Sequence, residues 1–166
     1  MNDYPNDYHE QVLLKAIVIG NMRGDIGRIL IEFDEFLDLV GDCCVCDILC
    51  TSFKYAKKYR EKVFEYLGNL AKSNDEFRQR VVAVMTMSHF LANEYIVDAL
   101  KLIGTLHSTG YYAEMGVGWA IATAFAKYRA KTQAVLNNNL ITDGAFNFAV
   151  KKICVSSRVS DSDKKY

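Results

Sequence analysis

Three features of this 166-residue chain predict an all-α fold. The one proline, Pro5, stands ahead of the first periodic stretch, so no helix interior is interrupted. Apolar residues recur at three- and four-residue spacing over long segments. Short polar or glycine-bearing turns separate those segments. Apolar residues make up 51% of the chain, enough at this length to fill one core and to argue against disorder. A single domain is expected over 1–166, with 1–7 and 156–166 as loose tails.

The elements follow in order. A first helix is expected over Tyr8 to Met22, with Val12, Leu13, Ala16, Ile17 and Ile19 on its apolar face. Gly20 to Gly24 breaks the pattern. The second helix, Asp25 to Val40, repeats Ile26, Ile29, Leu30, Phe33, Phe36, Leu37 and Val40 at helical spacing, and Gly41 stops it. Asp42 is an N-cap residue for the third helix, which should reach Tyr59 and turn basic at Lys54, Lys57 and Lys58, as the macrodipole favours. A fourth helix spans Glu61 to Ala71. Ser73-Asn74-Asp75 forms a turn and cap before a fifth, Glu76 to Phe90. A sixth covers Asn93 to Leu106. Thr109-Gly110 precedes a long seventh, Tyr111 to Tyr128, and a short eighth covers Lys131 to Asn137. Thr142 or Asp143 caps a ninth that ends near Cys154. Short turns between such helices favour stacked antiparallel pairs, in a globular bundle or a solenoid, and no repeat signature separates the two.

Charge is uneven. Residues 1–50 hold 3 Lys/Arg against 10 Asp/Glu, and residues 51–166 hold 17 against 10, so a neutral total divides into −7 and +7. The basic remainder is compatible with a polyanionic partner. Five cysteines, four of them within 43–50, form an odd set in a chain whose start has no signal-peptide pattern. Reduced thiols in the cytoplasm are expected. No apolar run approaches the ~20 residues that cross a bilayer.

Four groups are candidates for chemistry. On a helix, at about 100° per residue, Cys43, Cys46, Asp47 and Cys50 share one stripe. A carboxylate on that stripe is either an aspartate salt-bridged to a neighbouring helix or a general base or stabiliser of a cation. The thiols read as small buried hydrophobes. Residues 43 and 50 stand roughly 10 Å apart along a helix, too far to share a zinc with ~2.3 Å bonds, and no metal or cofactor is assigned. Tyr111 to Ala122 holds the only tryptophan, Trp119, with Gly116 and Gly118 in a helix interior. Each glycine costs about 1 kcal/mol there relative to alanine, which points to tight packing or to an aromatic wall in a cleft. Arg78 and Arg80 stand near a helix N-terminus, against the dipole, where a phosphate would account for them.

These stretches resemble one family. Val45-Cys46-Asp47-Ile48-Leu49-Cys50-Thr51-Ser52-Phe53-Lys54 is similar to the W-x-V-C-D-x-x-C-S-S-x-K helix of the AlkD-like DNA alkylation repair proteins. Tyr111 to Ala120 resembles their Y-Y-V-x-M-A-V-A-W helix, Phe77 to Met85 their F-x-x-R-x-x-x-V-M segment, and Lys151 to Ser160 their Q-K-I-R-E-S-Y-R-V-S ending. The likeness covers about 8–166, with the motifs in order.

The resemblance implies a HEAT-like repeat superhelix, an α-α solenoid of antiparallel helix pairs with a concave basic face. It implies a DNA glycosylase of base excision repair that hydrolyses the N-glycosidic bond of N3- and N7-alkylated purines in double-stranded DNA. Asp47 falls on the catalytic aspartate, Trp119 on a pocket tryptophan and Arg80 on a DNA-contacting arginine. Cys43, Tyr112 and Met115 are expected beside Trp119 in the pocket, and Arg78, Lys54 and Lys127 beside Arg80 on the DNA face. Two departures stand out. Cys43 replaces a family tryptophan, and the chain starts later than the family does. Both favour the alternative, a non-catalytic HEAT-like module that binds DNA or protein. An uncapped apolar N-terminal end favours a homodimer.

Overall fold

In the computed structural model, residues 8–165 are described. The expected loose tail at 1–7 lies outside them. Among the described residues the chain forms nine α-helices and no strand. They are α1 (His9–Gly20), α2 (Ile26–Phe36), α3 (Cys43–Ser52), α4 (Tyr55–Lys58), α5 (Arg60–Leu70), α6 (Glu76–His89), α7 (Ile96–Ile103), α8 (Tyr111–Asn137) and α9 (Asp143–Val155).

Four of the helix starts are set by side chains that accept orphan N–H groups. Asp25 accepts from Gly27 and Arg28, Asp42 from Cys44 and Val45, Asp75 from Arg78, and Thr142 from Ala145. Four helices pack in a row through neighbours in space: α1 against α3, α3 against α6, and α6 against α8. Helix α9 then packs on α8, while α2, α5 and α7 flank the row. Phe33, Phe53, Leu49, Leu67, Met85 and Phe90 fill the shared core. Phe33 and Phe53 meet edge to face at 4.9 Å.

The expected sixth helix shortens to Ile96–Ile103 and the first ends at Gly20, and three further expectations change more. The third helix does not reach Tyr59. It stops at Ser52 because Phe53 turns its ring into the core, with φ −73° and ψ 84°. The next N–H, of Lys54, donates to the Gly20 carbonyl at 3.1 Å and ties the ends of α1 and α3 together. That approach needs glycine, since a Cβ on Gly20 would stand 2.9 Å from the Ser52 carbonyl carbon. The second helix ends at Phe36 and tightens into a 3-10 turn over Leu37–Leu39. The expected seventh and eighth helices are one element, α8, kinked at Tyr128, whose φ and ψ are −137° and 53°. The Thr132 hydroxyl donates to the Tyr128 carbonyl at the kink.

The C-terminal segment is not loose over 156–165. Val159 is buried with Ala122, Phe125 and Ile153 in a second, smaller apolar cluster. Asp163 pairs with Arg129 at 2.6 Å, so the chain returns onto α8. Among the described residues no helix is long and apolar enough to cross a membrane.

Candidate active site around Asp47 and Arg80

Asp42 fixes where α3 begins, and the packing of α3 on α6 decides what Asp47 meets. It meets Arg80. Arg80 Nη2 donates to both carboxylate oxygens, at 2.9 and 3.0 Å, and Nε donates to Oδ1 at 3.1 Å. Nη1 donates to the Tyr112 carbonyl at 2.9 Å, in the first turn of α8. One guanidinium thus links three helices. Such charge-assisted, forked contacts hold geometry as well as charge.

The two partners differ in exposure. The Arg80 side chain is 3% exposed and that of Asp47 28%, so the aspartate keeps an edge toward solvent. Burial works against the Arg80 charge. The Asp47 hydrogen bond and attraction outweigh it and raise Arg80 above the ordinary arginine value. Gly116 makes room for this arrangement. A Cβ there would stand 3.1 Å from Arg80 Cγ, tighter than ordinary contact.

The remaining expected site residues spread over several surfaces. Cys43 is half-buried one turn before Asp47, while Cys46 and Cys50 are fully buried. Burial pushes the Cys50 thiol up, and no group of three possible metal ligands occurs among the described residues. Tyr112 reaches the site through its carbonyl. Its ring stacks on Phe77 at 5.3 Å. Met115 is half-buried beside Gly116.

Arg78 binds Asp38 at 2.8 Å and Asp34 at 3.2 Å, and Asp34 also accepts from the Tyr66 hydroxyl at 2.8 Å. Burial and that contact push the Tyr66 phenol up. Carboxylates on neighbouring elements therefore account for both arginines near the start of α6, and a phosphate is not needed to explain them.

Lys54 is exposed in a cavity of about 530 Å³ with Lys57, Thr51, Ser88 and His89. The His89 Nε2–H donates to the Cys50 carbonyl at 2.8 Å. Lys127 donates to the Leu91 carbonyl at 2.8 Å.

Trp119 is half-buried and lines a different cleft, with Thr123, Lys152 and Arg158. None of the hydrogen-bond partners of Asp47 lines that cleft. Sequence reasoning misses three contributors: the Tyr112 carbonyl, Lys152 and Arg158. The carbonyl has no sequence signal. The two cations stand 33 and 39 positions from Trp119, beyond any local pattern.

What the Asp47 arrangement offers chemically is an oriented carboxylate with a solvent-facing edge, carried on a rigid helix. Such a group can accept a proton from water or stabilise a nearby cation. The adjoining guanidinium reduces the second capacity, because the pair together is neutral. Compared with known proteins, the chain matches no family model, no curated protein and no solved structure.

Proposed function

We propose that the chain is a HEAT-like helical protein of DNA alkylation repair, with Asp47 as the catalytic carboxylate of an alkylpurine DNA glycosylase. The observation that carries this reading is the aspartate itself: clamped by Arg80, open on one edge, and lying in the motif that resembles the family's catalytic helix. The succession α1, α3, α6, α8, α9, in which each helix packs on the next, supports a solenoid-like arrangement.

The chemistry is undemanding. A purine alkylated at N3 or N7 is cationic and leaves readily. Water attacks C1′ of the deoxyribose as the glycosidic C–N bond breaks, and the bond's electron pair goes to the purine. Asp47 takes the water's proton and faces the oxocarbenium-like sugar. The products are the free base and an abasic strand.

The second reading is a DNA-binding module without catalysis. The full engagement of Asp47 by Arg80 favours it, as does Cys43 in place of an aromatic wall. Release of 3- or 7-methylpurine from methylated duplex DNA separates the two. The first reading expects release by the wild type and its loss in Asp47→Asn. Salt-sensitive DNA binding with no release by folded wild type selects the second.

A further inference from the structure

The row of helices ends in an exposed apolar stripe on each side. Helix α1 buries Ala16, Ile19 and Gly20 and packs on α3 and α2. Its outer face carries Glu10, Leu14, Ile17, Val18 and Asn21, all exposed and spaced so that they share one stripe. Helix α9 buries Ala145, Ala149 and Ile153 and packs on α8. Its outer face carries Phe146, Val150 and Cys154, each exposed and four positions from the last, with the exposed Val155 beside them. A helix that is apolar on two faces is ordinarily packed on both.

Charge separates the possible occupants. Residues 1–42, which hold α1 and α2, carry 3 Lys/Arg against 9 Asp/Glu, a net of −6. Residues 127–166, which hold the end of α8 and all of α9, carry 8 against 3, a net of +5. Arg78 offsets one charge at the first end through Asp34 and Asp38, and that end stays acidic. Two α1 ends face to face would set like charge against like, and so would two α9 ends. An α1 end on the α9 end of another copy sets opposite charges together. The stripes also present matching four-residue ridges, Glu10-Leu14-Val18 and Phe146-Val150-Cys154, the kind that interlock in the commonest class of helix packing. Laid antiparallel, Glu10 comes near the partner's Lys151. Laid parallel, it would come near the partner's Asp143.

We propose that copies of this chain associate head to tail, the α1 face of one lying antiparallel on the α9 face of the next. The contact is heterologous, so each pair keeps one free face at either end and the assembly grows past two. It continues the helix row of one copy into the next and does not depend on the chemistry proposed for Asp47. A helix of 12 residues is about 18 Å long, so the interface is small and of the transient class.

The test is sedimentation equilibrium of the intact protein from about 1 µM to about 1 mM. The wild-type mass should rise beyond that of a dimer, and raising salt from about 50 mM to about 500 mM should weaken association at least about threefold. Leu14→Gln with Val18→Gln removes one face, and Phe146→Gln with Val150→Gln removes the other. These side chains are exposed, so both variants should fold, which circular dichroism checks. Each variant alone should stay monomeric, and an equal mixture should form a one-to-one dimer that grows no further. An α9-face variant that still dimerises alone would overturn the proposal in favour of an α1 pair. A wild type that stays monomeric throughout overturns it too, and leaves the stripes to a different partner. So does a mixture that stays monomeric where the wild type associates. Glu10→Lys should weaken association at least about threefold, and adding Lys151→Glu to the same chain should restore it. No restoration would overturn the antiparallel register.

Discussion

Asp47 and Lys152 are both charged groups at the edge of one packed set of helices, yet only the first is matched. At the Asp47 site the carboxylate and both arginines near the start of α6 are paired. Arg80 binds both Asp47 oxygens, and Arg78 a short distance along α6 takes Asp34 and Asp38. Around Trp119 two cations face a cleft with no acid in it. The first region holds the fold together as well as offering a reactive edge. The second leaves Lys152 and Arg158 exposed without an ion-pair partner among the described residues. A group buried with its partner is costly to disturb, whereas exposed charges are cheap to remove.

That contrast can be broken most forcefully at Arg80. Arg80→Met would leave the Asp47 carboxylate and the Tyr112 carbonyl without their donor inside a packed interface. Removing one member of a buried pair typically costs about 3–5 kcal/mol, and the partial exposure of Asp47 places this case at about 3. Urea denaturation would show it as a lowered midpoint at similar slope. A destabilisation under about 1 kcal/mol would mean that the pair does not tie α3, α6 and α8 together.

The glycines of α8 sharpen the same point. A Cβ on Gly118 would stand 2.4 Å from Phe148 Cβ and 2.8 Å from the Ala145 carbonyl oxygen. Gly118→Ala is therefore expected to destabilise by about 2 kcal/mol, as overpacking does, despite better helix propensity. Gly116→Ala meets only the Arg80 side chain at close range, and that side chain can shift, so it should cost less. Its larger effect should fall on Asp47, moved with its partner. Thermal melts and base release together would separate the two variants. Asp42→Ala removes the cap of α3 and should cost about 1 kcal/mol, read in the same melts.

His89 gives a smaller, pH-dependent effect. Burial lowers its pKa, with Lys57 and Arg60 adding to the shift and the Cys50 carbonyl opposing it. The unfolded chain then takes up this proton before the folded one does. The stability contribution is complete above the ordinary value of 6.5 and declines as pH falls below it. His89→Gln should flatten that part of the stability profile between about pH 7.5 and about 5. An unchanged profile would remove the histidine from the account. The smallest effect belongs to the unmatched region: Lys152→Gln should change stability by under about 0.5 kcal/mol, since the side chain is exposed and has no ion-pair partner.

Much of the helical framework is legible locally. Asp42, Asp75 and Thr142 announce helix starts through residue type and position, and the structure uses each as a cap. The errors come from tertiary contacts. Phe53 ends α3 because the core takes its ring, which periodicity cannot register. Val159 and Asp163 anchor a segment whose composition reads as a tail. At the candidate site Asp47 is legible as a carboxylate out of place on an apolar stripe. Its partner is not, because Arg80 lies 33 positions away and reaches Asp47 only through the packing of α6 on α3. Arg78 and Arg80 look like unexplained cations in sequence for the same reason.

The most direct test of the account is single-turnover base release at saturating methylated duplex DNA, with DNA binding measured on the same samples. The account predicts that wild type releases methylpurine and that folded Asp47→Asn loses release by at least about 100-fold, while DNA binding stays the same. Release unchanged in Asp47→Asn would contradict the role of the aspartate. No release by the folded wild type, with DNA binding intact, would leave a DNA-binding helical module without glycosylase chemistry.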